Sequence, residues 1–368
     1  MSTPAADSPH PTHLPRVALA LSSGGFGGAG GMTGFCAALD LFFGATPLTA
    51  IGQYSGVSAG SIISTNLAAG ISPLDIIKAV FSGKTHNGFR PWRRDEFFRA
   101  NTAELRPTAS RLARAALRRV GFASQSPPEL GLLPSGLLSS EGLVENMREN
   151  LGRRHIARFS DLSRRLSVIF YDVLSNRRVV AGNGPGEHDL DIGDAIAASA
   201  AIPGAFMPRR LEIDGRVVLG VDGGTGGYRI GVRDFEELDL VIAYNHASFA
   251  PVEDHITHVS APAVVGLAMQ LSVNQSNIDE IANWMDAHPA AHAWVFQPPP
   301  RNIKSTFSLA RMLTETEECF ELGKQWLRRN FTYYSLVLAN LGVTTRPDFD
   351  RVSFAEVKAH GSDLKARP

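Results

Sequence analysis

Apolar and polar positions alternate along the first two thirds of the chain between strand-like and helix-like segments. Apolar runs of strand length lie at 16–21, 49–54, 166–174 and 238–244. After each of the first two runs, apolar residues recur at helical spacing, over 32–43 and 61–69. Strands that alternate with helices are typical of a mostly parallel sheet covered by helices. We therefore predict an α/β fold.

The dipeptide Asp214-Gly215 divides another apolar stretch and predicts a β-hairpin with strands at 211–213 and 216–221. Both residues tolerate the positive φ angles that a two-residue hairpin turn requires. The second of these strands leads directly into Asp222. Beyond position 262 the spacing is mainly helical. We predict helices at 263–273, 277–287 and 308–329 and a short strand at 293–296.

The composition is that of an ordinary globular protein. Of the 368 residues, 44% are hydrophobic and 20% are charged, and the formal net charge is zero. We predict a disordered leader over 1–14, a single domain over 15–343 with a helical part from 262 to 343, and a loosely ordered tail over 344–368. Because a net charge of zero creates no field that attracts nucleic acid, we expect no nucleic-acid partner. The sequence does not specify an oligomeric state.

The sequence shows neither a secretion signal nor a membrane-spanning segment. The leader is rich in Pro, Ser and His and has no apolar core, and no apolar run approaches the length that spans a bilayer. Cys36 and Cys319 fall within apolar helical patterns, which favours buried free thiols over a disulfide. We expect a cytoplasmic protein whose contact with membranes, if any, is peripheral.

The pentapeptide Gly56-Val57-Ser58-Ala59-Gly60 stands between the second predicted strand and the helix that follows it. A serine on a tight strand-to-helix turn is well placed to act as a nucleophile. Its neighbours Gly56 and Gly60 let the backbone take strained dihedral angles and let a substrate carbonyl come close. The alternative interpretation is an ordinary turn residue, so the neighbouring motifs decide between the two.

A glycine-rich stretch, residues 22–31, follows the first predicted strand. As a loop it would expose consecutive backbone N–H groups, and the helix predicted from Met32 would point its positive end at them. Beside a nucleophilic serine, such an anion cradle acts as an oxyanion hole. The candidate donors are Gly24, Gly25, Phe26 and Gly27.

A third motif, Asp222-Gly223-Gly224, closes the second strand of the predicted hairpin. Strand, glycine-rich loop, helix, strand, Gly-x-Ser-x-Gly, helix and a distant Asp-Gly-Gly, in this order, resemble the patatin-like phospholipases. The segment 195–206 also resembles the family's Ala-Ser-x-Ala-x-Pro-x-x-Phe pattern. The resemblance covers about residues 15–245.

The resemblance implies a three-layer α/β sandwich and a lipid acyl hydrolase, either a phospholipase A or an esterase. It implies Ser58 as the nucleophile and Asp222 as its base in a Ser-Asp dyad, without metal or cofactor. The implied substrate is a lipid or a related carboxylic ester. An aspartate with the usual pKa of about 3.9 is a weak base at neutral pH. The apolar run before Asp222 predicts burial, which would raise that pKa.

Two segments depart from the family's usual pattern. The family's glycine-rich loop usually ends in Arg-Gly or Lys-Gly, whereas Gly27, Gly28 and Ala29 stand here. Stabilisation of an oxyanion would then depend on backbone N–H groups and the helix end alone. The residues after the aspartate, 225–231, lack the usual Asn and Pro, which affects how Asp222 is held.

An insertion, residues 84–138, separates the first strand–helix cycles from the strand at 166–174. Within 84–119, ten Lys or Arg stand against three acids and are interleaved with aromatic residues, and 109–120 has the spacing of an amphipathic helix. A basic amphipathic helix can lie on an anionic lipid surface, which would make the insertion a lid or a membrane-facing cap. The alternative is a helix packed on the fold with its arginines in solvent.

Three other functions fit part of the sequence. An α/β-hydrolase would add a histidine to the serine and the aspartate, and His246, His255 and His258 stand in the right order. A dinucleotide-binding protein would use 25–30 as a Gly-x-Gly-x-x-Gly loop, but the second predicted strand lacks the acid that binds the ribose. A catalytically weak lipid-binding protein would account for the missing loop cation.

Overall fold

The computed structural model describes residues 13–97, 99–102, 135–226, 230–235, 237–246, 276–300 and 308–366. The strands of these ranges are β1 (Leu14–Leu21), β2 (Ile51–Val57), β3 (Arg99–Ala100), β4 (Gly136–Ser139), β5 (Arg165–Asp172), β6 (Arg177–Gly182), β7 (Gly204–Phe206), β8 (Arg209–Ile213), β9 (Arg216–Asp222), β10 (Leu240–Tyr244) and β11 (His292–Phe296). The strand-like runs predicted from the sequence all appear among them.

Eight of the described strands form one sheet in the order β11-β10-β1-β2-β5-β9-β8, with β6 paired to β5 as well. The five strands from β11 to β5 are parallel. In contrast, β6, β8 and β9 join the sheet through antiparallel pairs. A second sheet of the described residues has the order β3-β4-β7. The fold is therefore α/β with a mostly parallel central sheet, as predicted.

Helices cover the sheet. They are α1 (Gly25–Phe42), α2 (Ala59–Ala68), α3 (Pro73–Ser82), α4 (Arg94–Phe97), α5 (Glu141–Gly152), α6 (Ile192–Ser199), α7 (276–287 within the described residues), α8 (Leu309–Arg329), α9 (Phe331–Asn340) and α10 (Phe354–His360). No helix within the described ranges is long and apolar enough to cross a bilayer.

Helix α1 lies in the core, and residues 26–42 are all buried. Its glycines let the backbone of α8 come very close. A Cβ at Gly30 would overlap the carbonyl oxygen of Met312, and one at Gly34 would overlap that of Thr316. Much of the glycine run therefore serves helix packing. This packing accounts for the Gly-x-Gly-x-x-Gly spacing at 25–30 without a dinucleotide-binding role. Both cysteines are buried free thiols, as predicted.

The end of the chain differs from the prediction of a loosely ordered tail. Phe349 is fully buried, and its ring packs edge-on against Phe42 of α1. The ammonium group of Lys365 donates hydrogen bonds to the buried Asp40 Oδ1 at 2.8 Å and to the Thr46 carbonyl oxygen at 2.7 Å. Although the composition of this segment is polar, buried aromatic rings and the ion pair between Lys365 and Asp40 hold it against the fold.

Three predicted segments lie outside the described residues: the leader up to position 12, the amphipathic helix at 109–120 and the helix at 263–273. They stay predictions, as does the organisation into a single domain over 15–343. The other two predicted C-terminal helices are present as α7 and α8.

Candidate active site

Ser58 lies at the sharp turn where β2 ends and α2 begins. Its φ of 53° and ψ of −123° place a non-glycine residue in a sparsely populated region of backbone space. The two glycines of the motif make this turn compact. A Cβ at Gly56 would lie 2.5 Å from the Gly60 carbonyl oxygen, and one at Gly60 would overlap the Leu21 carbonyl oxygen. The serine is thus held on a strained, tightly packed junction between strand and helix.

Strand β5 brings Asp222 to Ser58. Val57 of β2 pairs with Ile169 of β5, and Asp222 of β9 pairs with the next residue, Phe170. Because β6 occupies one side of β5 along this whole stretch, β2 and β9 share the other side. β2 runs parallel to β5 and β9 runs antiparallel to it, so the two strands meet end to end. The serine and the aspartate stand where they meet.

The Ser58 side chain interacts with the Asp222 carboxylate and favours its charged form, and the Gly224 N–H donates to Asp222 Oδ1 at 2.8 Å. The carboxylate is only 2% exposed. Burial raises the pKa of Asp222 to about 6, while Ser58 and the Gly224 N–H act in the opposite direction by favouring the charged form. Near neutral pH the group is therefore mostly ionised and is a stronger base than an aspartate in solvent.

Ser199 supports the serine from behind, a contact that sequence reasoning missed. The Ser58 N–H donates to Ser199 Oγ at 2.8 Å, and the Ser199 hydroxyl donates to the Ile169 carbonyl oxygen at 2.6 Å. The signal in the sequence is the Ala-Ser-x-Ala pattern within 195–206, whose serine is Ser199. Since the Ser58 N–H is occupied by Ser199, donors for an oxyanion must come from elsewhere.

The glycine-rich stretch is mostly helix, which differs from the prediction of a loop up to residue 31. α1 begins at Gly25, so only 22–24 are loop. The Gly28 N–H donates to the Gly24 carbonyl oxygen at 2.9 Å and closes the first helical turn. The four candidate donors, residues 24–27, are therefore the four amides for which an α-helix offers no intrahelical acceptor at its N-terminus. Glycine is a weak helix former, and burial of the whole helix overrides that preference here.

An almost entirely apolar pocket lies beside Ser58, and the N-terminus of α1 forms part of its wall through Gly25 and Phe26. The other lining residues are Ala29, Ala59, Ile62, Trp92, Phe97, Ser140, Leu143, Ala200, Ile202, Phe206 and Met312. The nucleophile candidate and the positive end of the helix thus face one apolar space. Such a space suits a fatty acyl chain whose carbonyl carbon sits at the serine.

The described part of the insertion builds the wall of this pocket. Trp92 and Phe97 line it, and the Phe97 ring packs edge-on against Phe26 with centroids 4.7 Å apart. Several of the basic side chains in this part are paired with acids, either within the insertion or on α5. These ion pairs are Arg90 with Glu96 and Glu149, Arg93 with Asp95, and Arg99 with Glu145. Phe98 and residues 103–134 lie outside the described residues, so the role of the insertion as a lid stays a prediction.

His246, a candidate third member of a catalytic triad, has its ring beside the N-terminus of α1. Its backbone N–H donates to the Ser22 hydroxyl at 2.8 Å, and its ring lies against Gly24, where a Cβ would be 2.9 Å from His246 Cγ. The interactions with the Asp222 carboxylate come from other groups. The described residues therefore give the triad no geometric support. The candidate histidines outside the described residues are His255 and His258.

A comparison with protein families agrees with the order of the motifs. The family described as Patatin-like phospholipase matches residues 19–232, more than half of the chain. The match contains the serine turn, the N-terminus of α1 and the aspartate. No curated protein sequence matches the chain.

Several solved structures also match. VipD from Legionella pneumophila is 13% identical, with 83% of this chain and 66% of that chain covered and a TM-score of 0.34. ExoU from Pseudomonas aeruginosa, solved in complex with SpcU, is 14% identical, with 86% and 53% covered and a TM-score of 0.38. Human GIVD cytosolic phospholipase A2 is 13% identical, with 89% and 59% covered and a TM-score of 0.37. The chain thus spans between about half and two thirds of the length of these structures.

Proposed function

The chain belongs to the patatin-like phospholipase family, and from this premise we propose that it hydrolyses carboxylic esters of lipids with Ser58 as nucleophile and Asp222 as base. One observation carries the proposal. The sheet brings a serine on a strained turn to a buried carboxylate, beside an apolar pocket, and burial raises the pKa of that carboxyl to about 6. A serine hydroxyl is a weak nucleophile unless a base takes its proton during the attack. The carboxylate provides that base.

Acylation begins with attack of Ser58 Oγ on the ester carbonyl carbon while Asp222 takes the hydroxyl proton. The carbonyl oxygen becomes an oxyanion in the tetrahedral intermediate. When the intermediate collapses, the carbon–oxygen bond to the alcohol breaks and the protonated Asp222 returns its proton to the leaving alkoxide. A water molecule, deprotonated by the same carboxylate, then attacks the acyl-serine. Collapse of this second intermediate breaks the bond to Ser58 Oγ, Asp222 returns its proton to that oxygen, and the fatty acid is released.

The oxyanion is held by the N-terminus of α1. The amides of residues 24–27 are the first four of this helix, and its N-terminus carries about half of a positive elementary charge from the helix dipole. A loop cation is not required for this, because several aligned N–H donors in an apolar site stabilise an oxyanion strongly. The family's missing Arg or Lys is thus compatible with turnover, which favours an enzyme over a weak lipid-binding protein.

The test is hydrolysis of p-nitrophenyl esters of increasing acyl length by the wild type and by Ser58→Ala, Asp222→Asn and His246→Ala. We expect the first two substitutions to lower kcat by at least about 10³-fold, with the His246→Ala variant active. Activity that survives Ser58→Ala would exclude hydrolysis through this serine. An inactive His246→Ala variant would favour the triad instead of the dyad.

A fluorophosphonate probe tests the nucleophile without relying on turnover. Attack of an activated serine on phosphorus expels fluoride and leaves a stable adduct. We expect the mass of the adduct on the tryptic peptide that contains Ser58 in the wild type, and none on that peptide in Asp222→Asn. Labelling of Asp222→Asn at the wild-type rate would show that Asp222 is not the base.

A further inference from the structure

Two hairpins project from the edge of the sheet that holds Ser58. β5 turns at 173–176 into β6, and β8 turns at Asp214-Gly215 into β9. Because β2 and β5 are parallel, the serine at the end of β2 and the turn at the end of β5 lie at the same edge. The Val173 N–H donates to the Leu219 carbonyl oxygen at 3.1 Å, which joins the two hairpins side by side.

The ends of these hairpins lie about as far from the dyad as a lipid acyl chain is long. Val217 precedes Asp222 by five positions in the extended strand β9, a distance of about 17 Å at about 3.4 Å per residue. Half of the hydrocarbon core of a bilayer measures about 15 Å. The distance from the hairpin ends to the dyad is therefore close to the length of an acyl chain.

Large apolar side chains are exposed at both hairpin ends. Leu174 is 62% exposed, Val217 is 44% exposed and Val173 is 43% exposed. Single exposed apolar residues are normal on a protein surface, but these three stand on two hairpins that are hydrogen-bonded to each other. Leu174 and Val217 also line one open depression between the hairpins. Leu174 and Val217 thus share one depression, Val173 stands next to Leu174 in the turn, and the described chain leaves all three exposed.

Arginines surround these apolar side chains. Arg177, Arg178 and Arg216 line the same depression. Among the carboxylates of the described ranges, none forms an ion pair with Arg177 or Arg216. The guanidinium groups of these two residues are therefore available to a ligand from outside the chain.

The acids near the depression are engaged within the protein. Asp172 is buried and accepts hydrogen bonds from the N–H groups of Leu174 at 3.1 Å and Leu219 at 2.9 Å. Asp214 Oδ2 lies 3.4 Å from His188 Nδ1. Neither carboxylate forms an ion pair with Arg177 or Arg216. The exposed Glu212 stands opposite Val217 in the β8–β9 pair, but the depression itself is lined by three arginines against these two acids, although the net charge of the chain is zero.

We propose that Val173, Leu174, Arg177, Arg216 and Val217 form a two-hairpin surface that rests on an anionic lipid surface and turns the dyad towards it. The inference rests on the proposed function, because it names where the lipid substrate is met. The apolar side chains insert among the lipid tails and the two guanidinium groups bind phosphates of the headgroups. Arginine presents a planar fork of donors that suits a phosphate.

The test is vesicle binding by two variants matched in exposure, both in a Ser58→Ala background so that no lipid is consumed. The surface variant carries Leu174→Ser and Arg177→Ser. The control variant carries Leu336→Ser and Arg329→Ser, since Leu336 is likewise 62% exposed and Arg329 is exposed. Leu336 lies on α9, whose Tyr334 packs on Trp294 of β11 at the opposite end of the strand order.

The vesicles contain phosphatidylcholine with phosphatidylserine, or phosphatidylcholine alone. We expect the parent Ser58→Ala protein and the control variant to bind the anionic vesicles and added salt to weaken that binding. We expect the surface variant to bind at least about tenfold more weakly. Loss of one arginine should weaken binding about fivefold, and loss of one leucine that is partly buried in the membrane should weaken it further. Thermal melting of both variants checks that these exposed substitutions leave the fold intact.

Three results would overturn the two-hairpin surface: equal binding by the two variants, no binding of anionic vesicles by the parent protein, or a dimer that the surface variant dissociates. The last would mean that a second copy of the chain covers this surface. Ester hydrolysis by the protein with Ser58 intact is measured separately. If hydrolysis fails while vesicle binding behaves as expected, the proposed function is wrong and the lipid-binding surface remains.

Discussion

Val57 and Asp222 occupy consecutive pairing positions along one side of β5, opposite Ile169 and Phe170. The nucleophile candidate follows the first of these residues, and the base candidate is the second. Their separation is therefore set by backbone pairing in the central sheet rather than by a mobile loop. Sites carried on strands hold their geometry better than sites on loops.

The pH dependence of catalysis should follow the ionisation of Asp222. Burial raises the pKa of this carboxyl to about 6, and only the carboxylate can take the proton of the serine. We expect kcat/KM for an uncharged ester to be constant near pH 8 and to fall about tenfold per pH unit well below pH 6. A profile of kcat/KM from pH 4 to 9 measures this. A limb near pH 4, or one that His246→Ala displaces, would contradict the assignment.

The same burial should make Asp222 a liability for stability. The folded state holds the proton of this carboxyl more tightly than the unfolded state, where the pKa is 3.8, so stability falls as pH rises from about 4 to about 6. At neutral pH the buried charge destabilises the fold by up to about 3 kcal/mol. We expect Asp222→Asn to raise Tm at pH 7 and to have a much smaller effect at pH 4. A lower Tm for the variant at pH 7 would contradict this.

The backbone of Ser58 should store strain that glycine relieves. Its positive φ with a ψ of −123° is a conformation that costs a non-glycine residue about 1–3 kcal/mol. Ser58→Ala and Ser58→Gly both remove the nucleophile, but only glycine accepts this backbone freely. After about 0.5–1 kcal/mol for the greater freedom of unfolded glycine, we expect Ser58→Gly to be about 1 kcal/mol more stable than Ser58→Ala in urea unfolding. Equal stability would mean that the turn relaxes.

Local sequence patterns predict the helices and strands well, but they do not predict which distant strands pair with each other. The alternation of strands and helices, and the Asp214-Gly215 turn, are properties of neighbouring residues, and the structure confirms both. The end-to-end arrangement of β2 and β9 against β5 depends on pairing between segments that are far apart in sequence, 112 positions for Val57 and Ile169 and 52 positions for Phe170 and Asp222. No local period encodes such a register, so the sequence could name Ser58 and Asp222 without showing how they meet.

The misjudged segments have a common physical cause. Glycine is a weak helix former, so 25–31 looked like a loop, yet close packing against α8 requires glycine at Gly30 and Gly34 within a helix. The polar tail after 344 looked loose, yet Lys365 pairs with the buried Asp40. In both cases tertiary packing overrides the local preference. The role of Ser199 was missed for the same reason, because the residue that it supports, Ser58, is distant in sequence.

The serine turn should not tolerate a methyl group at Gly60. A Cβ there would overlap the backbone carbonyl oxygen of Leu21, and neither backbone can move without displacing β1 or the nucleophile. We expect Gly60→Ala to lose activity by at least about a hundredfold through misplacement of the serine. Gly152→Ala is the matched control, because a Cβ at Gly152 meets nothing within 4 Å and alanine favours a helix. Comparable kcat/KM for the two variants would show that the turn accommodates the methyl group without displacing Ser58.

Leu143 should control the acyl length that the pocket accepts. It is 4% exposed on α5 and lines the pocket beside Ser58, so Leu143→Phe shortens the apolar space and Leu143→Ala lengthens it. Each methylene that gains or loses burial changes kcat/KM by about fourfold, from about 0.8 kcal/mol. We expect the optimum among p-nitrophenyl esters to move to shorter chains in the first variant and to longer chains in the second. Leu151→Ala, at a buried position on the same helix outside the pocket lining, controls for loss of stability and should leave the optimum in place. A shift in the same direction for both Leu143 variants would show that the acyl chain binds elsewhere.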